Sequence, residues 1–288
     1  MPSISYHLHL PDALTSRVVF ASPHSGRDYP ASFLNTTVLD EHLIRTSEDA
    51  WVDKLFDSAP EFGAPLLRAG APRAYVDLNR ASDELDPALI EGIRRVGHNP
   101  RVASGLGVVP RVVAGGRAIY RGKLSRFEAD RRIARIWKPY HEKLAMLLDG
   151  ARARFGEAVL VDCHSMPREA LDGALRNTGP RPEVVIGDRF GASAAPQIVE
   201  QVEAVFRAAG FVVVRNTPFA GAYTMQAYGR PSRGQHAVQV EIDRSLYMDE
   251  KRIEPRPDFD AVRTVLRGVV AELALLGAGG EEQPLAAE

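Results

Sequence analysis

The sequence predicts a three-layer α/β sandwich, a mixed and mostly parallel sheet flanked by helices. Three observations carry this expectation. Short apolar, β-branched runs recur along the chain, and amphipathic helical patterns lie between them. The chain has 288 residues, 45% hydrophobic and 25% charged, enough to bury a large core without disulfides. One domain is expected over 1–278, with 279–288 (GGEEQPLAAE) as a flexible tail.

Strands are expected at Arg17–Ser22, Pro65–Arg68, Tyr75–Leu78, Ala158–Cys163, Val184–Gly187, Phe211–Arg215 and Ala237–Ile242. Leu43, Val52, Leu55, Phe56 and Ala59 have helical spacing and predict a helix within 39–59. Ser125 and Glu128 form a capping-box pattern that opens a long helix, with Ile133, Ile136, Trp137, Tyr140, Leu144 and Leu147 as its stripe. Pro139 predicts a kink or break there. Ala195–Ala209 and Phe259–Leu276 complete the helices. Residues 81–122, rich in Gly, Pro and Arg, read as a long excursion beside a ligand site.

The balance of charge narrows the function. There are 36 Lys and Arg against 37 Asp and Glu, a net charge of −1, so no polyanion or nucleic-acid partner is expected. The single cysteine, Cys163, fits a reducing compartment. The N-terminus lacks the pattern of a secretory signal, and no apolar run is long enough for a membrane span. These features predict a soluble cytoplasmic protein.

Four motifs carry chemistry. In Ser22-Pro23-His24-Ser25-Gly26 and in Val161-Asp162-Cys163-His164, an apolar strand ends in a histidine. In open α/β sheets such ends are where ligands bind. Two histidines so placed suggest a metal centre, and catalytic zinc wants a third ligand, usually a carboxylate. Asp28, Glu48, Asp49 and Asp53 are the candidates, although acids at a helix N-terminus also simply complement its dipole. Tyr75-Val76-Asp77-Leu78-Asn79-Arg80 offers a guanidinium fork for a substrate carboxylate. In Val238-Gln239-Val240-Glu241-Ile242-Asp243, alternation places Glu241 on the polar face, as a general base or a buried salt-bridge partner. Cys163 points away from His164 by the same alternation. The nucleophile elbow and the phosphate loop are both missing.

These motifs converge on a family. The chain resembles the N-formylglutamate amidohydrolases in ASPHSGRDYP (21–30), SEDAWVDKLF (47–56), YVDLNR (75–80), GVVPRV (107–112), Tyr120-Arg121-Gly122, VDCHSMP (161–167), GAYT (221–224) and VEIDRSLYMDE (240–250). That family looks like a distant relative of zinc carboxypeptidases and aspartoacylases, which implies a zinc-exopeptidase-like fold. Those relatives carry His-x-x-Glu, whereas Arg27 stands three residues after His24, so Asp49 is expected as the acid, with Glu48 second.

The resemblance implies metal-dependent hydrolysis of N-formyl-L-glutamate to formate and L-glutamate, a step of histidine degradation. It implies Zn2+ on His24, Asp49 and His164, and Glu241 as the base. Arg80 with Asn79 would clamp a carboxylate, and Arg121 or Tyr223 would close over the substrate. Arg111, Arg121 and Arg230 form the expected pool of further cations. Two other readings stay open: hydrolysis of another N-acyl amino acid, and a non-catalytic metal or amino-acid binding module. A monomer and a homodimer are both compatible with the sequence.

Overall fold

The computed structural model describes residues 4–94, 99–172 and 180–276. The expected tail at 279–288 and His98 lie outside the described residues. A seven-stranded sheet organises the chain in the order β1-β3-β2-β4-β7-β5-β6. Its strands are β1 (Tyr6–His9), β2 (Val18–Ser22), β3 (Leu66–Ala69), β4 (Ala158–Met166), β5 (Val184–Gly187), β6 (Val213–Arg215) and β7 (Gln235–Asp243). β3, β2, β4 and β7 run parallel, β1 pairs antiparallel with β3, and β5 and β6 form a parallel pair antiparallel to β7. The mixed, mostly parallel sheet follows the expectation.

Helices cover both faces, as continuous apolar strands require. They are α1 (Ala31–Leu34), α2 (Val52–Leu55), α3 (Pro100–Ala103), α4 (Arg126–Arg132), α5 (Lys138–Phe155), α6 (Pro196–Ala208), α7 (Tyr223–Tyr228) and α8 (Phe259–Ala274). Val18 and Phe20 of β2, Val159 and Val161 of β4, and Val238 and Val240 of β7 pack in one core with α2, α6 and α8. Val19, Ala21, Leu160 and Ala237 face the other way, into a core with α4 and α5. Among the described residues, no helix is long and apolar enough to cross a membrane.

Three local expectations are corrected. Tyr75–Leu78 is not a strand: Tyr75 and Val76 donate back to the Pro72 carbonyl at 2.9 and 3.3 Å, and Asp77 donates to Val108 at 2.8 Å. Its apolar residues fill the core as a buried turn. The 39–59 helix breaks into a 3-10 turn (Leu43–Ser47), α2, and a second 3-10 turn (Ala59–Phe62). Trp51 sits at φ 68°, a left-handed conformation that interrupts the pattern. Pro139 does not end its helix, since α5 runs from Lys138 to Phe155. It follows a π-helical turn, Ile133–Trp137, so its missing N–H falls where π spacing gives way to α spacing. Ser125 does cap, its hydroxyl accepting from Glu128 N at 3.2 Å. β1 was not foreseen: it is a four-residue, partly exposed edge carrying two histidines.

Candidate active site

Strand alternation builds the site. On β4, Cys163 joins the apolar core with Val159 and Val161, while Asp162 and His164 emerge on the opposite face. Burial pushes the Cys163 thiol far up, so it is no nucleophile for His164. β7 repeats the pattern, with Gln239 and Glu241 on the polar face. In register, His164 stands opposite Glu241 and Asp162 opposite Gln239. His24 follows β2 by two residues. Gly26 lets its turn press on the neighbouring loop, because a Cβ there would lie 2.1 Å from the Ala71 carbonyl oxygen. The chain leaves helical geometry at Glu48, and the N–H of the next residue, Asp49, donates to the His24 carbonyl at 3.0 Å.

His24, Asp49 and His164 converge as a buried group whose ligand atoms all lie within 4.8 Å of one another. Nδ1 of His24 and of His164 lie 3.4 and 3.0 Å from Asp49 Oδ2. Each imidazole turns Nε2 to a carboxylate behind it: His24 to Asp77 Oδ1 at 2.7 Å, His164 to Asp162 Oδ2 at 3.0 Å. A carboxylate so placed fixes the tautomer and aims the Nδ1 lone pair at the centre, as metal-ligating histidines require.

A divalent cation fits this group. His24 Nδ1 is buried without a hydrogen-bond partner, and two nitrogens plus one carboxylate oxygen is the donor set of a catalytic zinc with a free position. Burial lowers the His164 pKa, but Asp162 and Asp49 outweigh it and hold it well above the usual histidine range. A site this electronegative keeps an extra proton unless a cation takes its place. The other acids look elsewhere. Glu48 accepts from Tyr29 at 2.6 Å and from Arg45, and Asp53 accepts from Arg27 and Arg68 at 2.7 and 3.0 Å. Asp28 stands outside the group.

The three residues sit in a cleft of about 760 Å³ that Glu241, Gln239, Asn79 and Arg80 also line. Residues from the 81–122 excursion, among them Arg101 and Val112–Gly116, form one wall. The expected cation pool is not in this lining. Arg121 is exposed, Arg111 pairs with Asp86 at 2.8 Å, and Arg230 lines a separate surface hollow. Tyr223 packs against Trp137 and His141, with ring centroids 5.6 and 5.3 Å apart.

Arg73, Arg101 and Arg244 take the place of that pool. Arg244 donates to Asp49 Oδ1 at 2.9 Å and to Ser165 at 3.1 Å, and Arg73 donates to Asp77 at 3.0 Å. Position was their only sequence signal: Arg73 just precedes the YVDLNR segment, and Arg244 ends the β7 motif.

The turn carrying Asp77, Asn79 and Arg80 is held from outside the sheet. Thr224 N–H donates to Asn79 Oδ1 at 2.9 Å, so the Asn79 carbonyl is occupied by protein. His141 Nε2 donates to the Leu78 carbonyl at 2.9 Å while its Nδ1 takes the Tyr228 hydroxyl at 2.8 Å. Burial pushes the His141 pKa down to about 4, which keeps this ring neutral. Trp137, at the end of the π turn, donates to the Arg80 carbonyl at 2.9 Å. Trp137→Phe keeps the ring and removes that donor. We expect about a tenfold loss in kcat/KM, chiefly through KM, with unchanged metal content. Steady-state kinetics with metal analysis checks this, and an unaltered KM would remove Trp137 from Arg80 positioning.

The chain is similar over most of its length to proteins of one family. The model of the N-formylglutamate amidohydrolase family matches residues 16–248. The chain is 33% identical to an N-formylglutamate deformylase of Pseudomonas aeruginosa over 270 residues, covering 90% of this chain and 93% of the relative. It is 30% identical over 239 residues to the N-formylglutamate deformylase of Pseudomonas putida, covering 81% and 82%. A crystal structure of the N-formylglutamate amidohydrolase from Ralstonia eutropha JMP134 superposes with a TM-score of 0.89 at 34% identity, covering 96% of this chain and 99% of that one. The chain therefore belongs to the N-formylglutamate amidohydrolase family and is an enzyme of the amidohydrolase class.

Proposed function

We propose that the protein hydrolyses N-formyl-L-glutamate to formate and L-glutamate, using one divalent cation, zinc first, held by His24, Asp49 and His164. The convergence of those three ligand atoms opposite Glu241, in an arginine-lined cleft, carries the reading. The names of the two Pseudomonas relatives support the substrate. When bound, such a cation would polarise the formyl oxygen and acidify water. Glu241 takes the proton from the attacking water and delivers it to the amine nitrogen as the C–N bond breaks, leaving formate and glutamate. Arg80 receives the α-carboxylate. Nε and Nη1 of Arg80 are fixed on the Leu106 and Asn79 carbonyls at 3.0 and 2.8 Å, which orients the guanidinium before substrate arrives. The reaction would serve histidine degradation in the cytoplasm.

The test is formate release from a panel of N-formyl and N-acetyl amino acids, before and after chelation. Formate should come from N-formyl-L-glutamate, stop on chelation and return with zinc. Turnover indifferent to the chelator would overturn the metal. Metal binding with no release from any substrate would favour a binding module.

A further inference from the structure

One wall of the cleft is built around α3. α3 separates two cavities: Arg101 and Ser104, three residues apart and so on one helical face, line the active-site cleft, whereas Val102 and Ala103 line its neighbour. The wall is braced. Asn99 Oδ1 accepts from Arg101 N and Val102 N at 3.0 and 3.3 Å, and Arg111 N donates to Gly105 at 2.8 Å. Arg80 Nε grips the Leu106 carbonyl at 3.0 Å, which ties this wall to the reaction centre. Arg101 is exposed, and its guanidinium has no ion pair or hydrogen bond among the described residues.

Resting on the deformylase reading, we propose that Arg101 is a specificity-determining residue that binds the side-chain carboxylate of the substrate, while Arg80 binds the α-carboxylate. The division follows from position. Arg80 follows Asn79, whose Nδ2 lies 3.3 Å from His164, so the turn that carries Arg80 starts at the reaction centre, whereas Arg101 is carried by α3. The side-chain carboxylate of glutamate is two methylenes removed from the α-carbon and needs a second cation, and Arg101 lines the same cleft. Charge agrees. Burial pushes the Arg80 pKa below its ordinary value, Asp77 opposes this, and Arg73 and Arg101 add to the lowering. Two guanidinia that repel across one cleft are relieved by a dianion and left unbalanced by a monoanion. The Arg101 fork therefore recognises an acyl amino acid with an acidic side chain, and a neutral side chain leaves it unpaired.

N-formyl-L-glutamine is the probe, since it matches the substrate in shape and lacks only the distal charge. Arg101→Met should lower kcat/KM for N-formyl-L-glutamate roughly 30-fold through KM, and that for N-formyl-L-glutamine less than roughly threefold. Arg101→Lys should recover part of the discrimination, because the charge returns without the fork. Equal losses on both substrates, or no loss on either, would overturn the assignment while leaving the deformylase reading intact. A wild-type enzyme that releases formate from neither substrate would overturn both.

Discussion

Replacing Asp49 should abolish metal binding and turnover together. Among the described residues, its Oδ2 is the one carboxylate oxygen facing Nδ1 of both His24 and His164. Asp49→Ala removes more than a ligand, because Arg244 loses the carboxylate it meets at 2.9 Å and is left as an uncompensated buried charge. Breaking such a pair costs about 3–5 kcal/mol, so the alanine variant should also fold less well. Asp49→Asn separates the two effects. It keeps the shape and an oxygen for Arg244 but surrenders the anionic ligand. A cation that binds only the folded chain stabilises it by about 2.7 kcal/mol at a hundredfold excess over Kd. The wild type should therefore melt higher when zinc is added, and Asp49→Asn should show no such rise and no formate release. Stoichiometric zinc with near-normal turnover in Asp49→Asn would remove Asp49 from the ligand set.

That the histidines stand out in the sequence while Asp49 is one acid among several has a physical cause. His24 is legible because an apolar run giving way to small polar residues marks the end of β2, whereas β4 runs on past His164 to Met166, so alternation and not a strand end places that ring. The acid needed the resemblance, since Glu48, Asp49 and Asp53 all suit a helix N-terminus. The helix is the error: the chain turns extended at Glu48 and left-handed at Trp51, and Asp49 meets His24 and His164 while Asp53 pairs with Arg27 and Arg68. Period-2 alternation on β4 and β7 placed Asp162, His164, Gln239 and Glu241 on one face because both strands are buried and their register is fixed. No periodicity governs the 75–80 turn or the 81–122 excursion. Tertiary packing decides which arginines line the cleft, and these are Arg73, Arg101 and Arg244 and not Arg111, Arg121 and Arg230. The same holds for the support of Arg80, where Trp137 and His141 look in sequence like members of a helix stripe.

Glu241→Gln should leave metal binding intact and lower kcat about 10³-fold, within the 10²–10⁴ that a positioned base contributes. Glu241 is buried beside the His164 strand, and its Oε1 accepts from Gln239 at 2.8 Å. Burial pushes its pKa up to about 7, with His164, Arg73 and Arg244 opposing and Asp49 adding to the rise. A base works in its ionised form, so kcat/KM should fall as pH drops through this value. A cation held by the neighbouring ligands favours the ionised form and moves that limb lower. In Glu241→Gln the limb should vanish, leaving a low and flat rate. Stability runs in the opposite sense. A carboxyl whose folded pKa is raised destabilises the fold as pH rises from its unfolded value toward about 7. Glutamine removes that penalty, so the variant should melt no lower than wild type above pH 7, and its lost turnover is then a loss of chemistry. If Glu241→Gln keeps more than a tenth of wild-type kcat, or keeps the acidic limb, the proton passes through another group and Glu241 serves only to hold Gln239.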